Sequence, residues 1–176
     1  PALRATVWGT DVAQSAVWNG SQYLVVGQNG RAATSYNGVI WTYQAGLSAT
    51  AWGTDIAFSA VWNGAQYLVV GQNGRAATSF DGVTWTYRAG LSATAWGSAT
   101  TARSAVWNGS QYLVVGDNGR AATSPDGITW TYRAGLSATA WSSTWAYSVV
   151  WNGSQYLVAG QDGSVATSPD GVTWTY

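Results

Sequence analysis

The sequence predicts an all-β fold of four-stranded antiparallel sheets packed side by side, on three observations. Asn-Gly recurs at Asn19, Asn63, Asn108 and Asn152, at intervals of 44, 45 and 44 residues. A second motif recurs in the same four units: Ser35-Tyr36-Asn37-Gly38-Val39-Ile40-Trp41, Ser79-Phe80-Asp81-Gly82-Val83-Thr84-Trp85, Ser124-Pro125-Asp126-Gly127-Ile128-Thr129-Trp130 and Ser168-Pro169-Asp170-Gly171-Val172-Thr173-Trp174. Between these turn signals lie only short runs rich in Val, Tyr, Trp and Ala, of strand length and composition. The units are 1–44, 45–88, 89–133 and 134–176, close copies that together make one domain of 176 residues.

Within the first unit, Ser15-Ala16-Val17-Trp18 reads as a short strand, closed by Asn19-Gly20 in a type I′ turn. Gln22-Tyr23-Leu24-Val25-Val26 is the second strand. Gln28-Asn29-Gly30 turns the chain into Arg31-Ala32-Ala33-Thr34-Ser35, and the seven-residue motif turns it again into Ile40-Trp41-Thr42-Tyr43. Four antiparallel strands in sequence order make a meander. The second strand is apolar on both parities, so its sheet has to be covered on both faces. The small Ala32 and Ala33 let neighbouring sheets approach closely. Radial stacking of such sheets, a β-propeller, satisfies both requirements. A lone unit would lose about 1.5 kcal/mol of conformational entropy per ordered residue and needs its neighbours to recover it.

Four blades leave the two end sheets uncovered, which predicts that a homodimer completes the ring to eight blades with two-fold symmetry; a closed four-bladed monomer is the alternative.

The Ser-x-Asp-Gly-x-Thr-Trp turns, preceded by Tyr-Leu-Val-Val-Gly-Gln-Asn-Gly, resemble those of the Asp-box or neuraminidase-repeat propellers, especially bacterial tandem-repeat members. The resemblance covers all four units. It departs in two places: the usual box has one more residue between Asp and Trp, and Asn37 stands for Asp in the first copy. It implies that Asp81, Asp126 and Asp170 build turns on the face away from any active site. It also implies a sialidase set of an arginine triad, a tyrosine paired with glutamate, and an acidic aspartate; the chain has no Glu to complete it.

The seven cations are all Arg, the seven anions all Asp, and His, Cys, Lys and Met are absent. Glycoside hydrolysis by paired carboxylates, and catalysis by the usual bases and nucleophiles, therefore lack their residues, and no enzyme is expected. Nor is a cofactor: no metal-ligand spacing is present. Zero net charge and only 8% charged residues argue against a nucleic-acid partner. No apolar run is long enough to cross a bilayer and no signal-type segment opens the chain, so a soluble protein is expected, its compartment unspecified.

Two functional readings follow. The first is a multivalent lectin-like module binding glycans. Trp8, Trp52, Trp96 and Trp141, in the long connectors between units, would present indoles to sugar rings. Gln28, Gln72, Asp117 and Gln161 in the neighbouring turns, with Asp11 and Asp55, would bond hydroxyls. The competing role for these tryptophans is to plug the space between adjacent blades. The second reading is a ligand-free structural scaffold that self-assembles, recently amplified or designed from a larger propeller, as the near-identity of the units suggests. Trp18, Trp62, Trp107 and Trp151, like Trp41, Trp85, Trp130 and Trp174, are expected to pack, and Arg31 and its copies to lie in solvent.

Overall fold

The computed structural model describes residues 2–139 and 141–176. Among the described residues, fifteen strands form four antiparallel sheets. The first contains β1 (Ala13–Trp18), β2 (Tyr23–Gly27), β3 (Ala32–Ser35) and β4 (Thr42–Gln44). The second contains β5 (Ala57–Trp62), β6 (Tyr67–Gly71), β7 (Ala76–Ser79) and β8 (Thr86–Tyr87), and the third β9 (Ala102–Trp107), β10 (Tyr112–Gly116), β11 (Ala121–Ser124) and β12 (Thr131–Arg133). The fourth contains β13 (Ala146–Trp151), β14 (Tyr156–Gly160) and β15 (Val165–Ser168), its outer strand reduced to a bridge between Thr175 and Thr167. Spatial order follows sequence order in every sheet, so each is a meander blade of a β-propeller.

The turns explain themselves locally. Positive φ falls on Gly20 alone in the first hairpin, not on both central residues, so the predicted type I′ turn is replaced by a four-residue loop between the paired Trp18 and Tyr23. The Asn19 side-chain oxygen accepts from the N–H groups of Ser21 and Gln22 at 2.8 and 2.7 Å, which offers the backbone a better closure. In the Ser-x-Asp-Gly turn, Asp81 Oδ1 accepts from Val83 N and Thr84 N at 2.8 and 2.7 Å, while Ser79 Oγ accepts from Gly82 N at 2.8 Å. Asn37 Oδ1 accepts in the same way from Val39 N and Ile40 N, both at 2.9 Å. The turn uses an acceptor oxygen rather than a charge, which is why Asn replaces Asp there without loss of the hairpin.

The core is divided among the junctions between blades. At the first junction, Leu24, Val26 and Ala32 of one blade meet Tyr67, Val69, Ala77 and Trp85 of the next, with Trp52 and Leu47 between them. The second and third junctions repeat this with Leu68 against Tyr112 and Leu113 against Tyr156. The innermost strands contact one another in the order β1, β5, β9, β13, and β1 and β13 share no comparable contact. The blades therefore form an open arc.

Candidate functional site

Two surfaces of the arc invite a partner: the face carrying the connectors and the β2–β3-type turns, and the pair of uncovered end blades.

On the first, the predicted recognition residues prove to be internal fastenings. Trp8, Trp52, Trp96 and Trp141 are all buried, so the expected exposed indole platform does not exist. The connector tucks each ring between sheets: Trp52 Nε1 donates to Asp55 O at 2.9 Å, and the ring lies where a Cβ on Gly30 or Gly71 would stand. This is the plug role. A β2–β3 turn can sit so close only because it carries glycine.

The polar residues are engaged as well. Gln28 Oε1 accepts from Val12 N at 2.9 Å and Gln72 Oε1 from Ile56 N at 3.3 Å, each pinning the turn to the connector of its own blade. Asp11 takes the side chains of Asn29 and Arg31, and Asp55 those of Asn73 and Arg75. The Asn29 amide, with the Arg31 guanidinium, holds the Asp11 carboxyl below the usual carboxylate range. Arg31 and Arg75 are thus paired rather than solvated, and Arg120 donates to the carbonyls of Ala95 and Trp96 in the connector. Gln161 is half-buried at the same position of the fourth blade. The third blade lacks the Asp of its connector; there Asp117 accepts from Arg103 of β9 and from Thr101 N.

Arg103, absent from the sequence-based site, is the centre of an aromatic group. Its guanidinium lies 4.6 Å from the Trp145 ring centre, 5.3 Å from Tyr147 and 5.7 Å from Phe58. The signal for these residues was present as divergence: Gln14, Phe58, Arg103 and Tyr147 occupy one repeat position between an unvarying Ala and an unvarying Ser.

The end blades are uncovered halves of the junction. Tyr67, Tyr112 and Tyr156 are fully buried, whereas the equivalent Tyr23 on the first blade is 38% exposed. Leu24, Leu68 and Leu113 are fully buried, whereas the equivalent Leu157 on the last blade is 40% exposed, with Val150 and Val165 open beside it. Polar fastenings stop at the same places. Ser15, Ser59 and Ser104 hydroxyls accept from Ala60 N, Ala105 N and Val149 N on the next blade at 3.1 to 3.2 Å. Gln22, Gln66 and Gln111 amides donate to the Asp81, Asp126 and Asp170 carbonyls at 2.7, 2.7 and 3.1 Å. Their counterparts on the last blade, Ser148 and Gln155, have no following blade to meet. A cavity of about 380 Å³ lined by Leu3, Trp8, Gly9, Thr10 and Asp11 opens on the first blade. At the second blade the equivalent space, beside Trp52 and Gly53, is filled by the Gly30 turn of the blade before it.

The architecture defines the class, a β-propeller. Solved propellers agree with it. The chain is similar to YCF48 from Cyanidioschyzon merolae (TM-score 0.70, 17% identity, 94% of this chain and 56% of that one) and to YCF48 bound to D1 peptide (TM-score 0.65, 16% identity, 92% and 51%). It is also similar to the computationally designed Ika4 protein, with a TM-score of 0.64 at 8% identity over 91% of this chain and 92% of that one. The chain spans about half the length of the YCF48 structures it matches. No protein-family model matches the sequence, nor does any curated protein. Among the described residues no helix is long and apolar enough to cross a membrane, and no group of three acidic, His or Cys side chains stands ready for a metal.

Proposed function

We propose that the chain is a non-catalytic, self-assembling propeller scaffold of the Asp-box type, in which two copies close head to tail into an eight-bladed ring. The observation that carries this reading is that the exposed face of the last blade and the exposed face of the first are the two halves of a junction the chain already makes three times. Leu157 of one copy meets Tyr23 of the other, as Leu113 meets Tyr156. Gln155 donates to the carbonyl of Asn37, the Ser148 hydroxyl accepts from Ala16 N, and the Gly163 turn enters the cavity beside Trp8. Two such seams leave no blade face uncovered, and two-fold closure stops growth at two copies.

The curvature supports the same count. The arc superposes on about half of several longer propellers, including 46% of the designed Ika8 chain at TM-score 0.63 and 53% of the WD40 propeller of Doa1 at TM-score 0.65. The absence of catalysis rests on composition and on the use of the carboxylates: Asp11, Asp55 and Asp117 are held by Arg or Asn, and Asp81, Asp126 and Asp170 by turn N–H groups. Glycan recognition by the four connector tryptophans has no support in their burial and forms no part of this reading.

Light scattering at low micromolar concentration tests the assembly. A mass of twice 18.5 kDa is expected, and a single-chain mass overturns it.

A further inference from the structure

Each innermost strand carries one irregularity at the same place. Register with the second strand shifts between Ala13 and Ser15, Ala57 and Ser59, Ala102 and Ser104, and Ala146 and Ser148. The extra residue in each case is Gln14, Phe58, Arg103 or Tyr147. A β-bulge leaves its residue out of the ladder and re-aims the side chain, which is why bulges recur beside binding sites. Here the backbone device is repeated four times while its side chain is different every time. A purely structural role would favour one solution, as the flanking Ala and Ser positions show.

Three of the four bulge residues converge. Arg103 lies between Phe58 of the preceding blade and Tyr147 of the following one, and the Trp145 ring lies over its guanidinium. Trp145 is itself a departure from the repeat: Val12, Ile56 and Thr101 hold the equivalent position. Trp145 and Tyr147 meet edge to face at 6.2 Å and 84°, yet remain 41% and 47% exposed. Two large rings are thus held by a cation on one side and left open to solvent on the other. Of the five donor hydrogens of Arg103, the one on Nε goes to Asp117; its two terminal nitrogens take no partner among the described residues.

We propose that this group is a binding site for a monocarboxylate borne on a six-membered ring. The free end of the Arg103 guanidinium matches the two oxygens of a carboxylate, a pairing that favours Arg over Lys. The ring packs beside the fork, against the exposed edges of Trp145 and Tyr147. Asp117 stays on Nε, fixes the orientation of the fork and, through its own charge, disfavours a dianion such as phosphate. The ring is either aromatic or a sugar acid. There is one site per chain, because only the third blade carries Arg at the bulge. It lies between the second, third and fourth blades; Tyr147 is next to Ser148 at the proposed seam, whereas Arg103 and the Trp145 ring over it lie within one chain and need no second copy.

The test is a titration of the full chain followed by ¹H–¹⁵N correlation, reading the Trp145 indole N–H and the backbone N–H groups of Thr101 and Asp117. The probes are 4-hydroxybenzoate, glucuronate, glucose and inorganic phosphate. Arg103→Gln and Trp145→Val place in these positions the residues that the first repeat already accommodates, so both variants keep the fold; their dispersed spectra and unchanged mass verify it. The expected result is saturable displacement of the Trp145 signal by one or both carboxylates, with glucose and phosphate at least about tenfold weaker. Arg103→Gln should weaken the carboxylate at least about tenfold, the ordinary consequence of losing a charged hydrogen-bonding partner. Preference between the first two probes assigns the ring as aromatic or sugar. No displacement by either carboxylate up to about 50 mM, equal binding of glucose, or equal binding by Arg103→Gln overturns the proposal.

Discussion

Replacing Leu157 by Asp separates the inside of a blade junction from its unfilled end. In the single chain the Leu157 side chain is 40% exposed on the outer face of β14, so a carboxylate there keeps its water and the arc still folds. In the ring the same position becomes the counterpart of Leu113, which is fully buried against the next blade. Burying a whole leucine side chain contributes about 1.5–3 kcal/mol, so covering two fifths of one contributes roughly 1 kcal/mol at each seam. The substitution removes that and adds an unpaired charge facing Tyr23, with a penalty on the order of 3–5 kcal/mol at each seam. Two-fold symmetry applies it twice, and the combined loss of roughly 8–12 kcal/mol weakens association by more than about 10⁵-fold. Light scattering should then report 18.5 kDa for Leu157→Asp where the parent chain reports twice that, with the β-sheet circular dichroism retained. Leu113→Asp, the same change at an internal junction, should fail to fold. A Leu157→Asp variant that keeps the double mass would refute the seam and with it the ring.

Three further outcomes follow from the same geometry. Gly163→Asn should fold, since Asn adopts positive φ at Asn29 and a Cβ at Gly163 meets nothing within 4 Å, yet it should block assembly in a sizing experiment, because a Cβ at the equivalent Gly30 would lie 2.5 Å from Gly53 O. Trp52→Ala should lower stability by about 3–5 kcal/mol in urea denaturation, the cost of emptying a fully buried aromatic site; an unchanged midpoint would return this indole to the surface. Acid should weaken the turns. Partial burial pushes the Asp81 and Asp126 carboxyls up, but the N–H groups of Thr84 and Val83, and of Thr129 and Ile128, bring both below the usual range; for Asp170 the Thr173 N–H is the leading cause. A depressed folded pKa contributes stability that is complete above the unfolded value near 4 and is lost as pH falls through the folded one. Denaturation midpoints taken from pH 6 downward should therefore drop below about pH 4, and less so in a chain carrying Asn at all three positions, as Asn37 already does; identical profiles would remove the carboxylates from the account.

The sequence by itself determined the repeat, the four-stranded meander and its stacking into blades, because each depends on contacts within a few residues or on an apolar pattern that demands cover on both faces. Ser35, Asn37 and Gly38 close their turn with their own atoms, and Leu24 and Val25 require two neighbours wherever the chain runs. The bulges at Gln14, Phe58, Arg103 and Tyr147 were not legible: the first strand reads as starting at Ser15, and only pairing with the second strand shows that it begins two residues earlier. Whether a tryptophan faces solvent was likewise not local. Trp52 is surrounded in sequence by small and polar residues, the pattern of an exposed loop, but the glycines that admit its ring belong to two different blades, one of them more than twenty residues upstream. Trp145 has much the same neighbourhood and stays open, since a guanidinium rather than a sheet lies against it. Burial of a connector residue is a property of the space between sheets, and that space exists only once the sheets have taken their places around the arc.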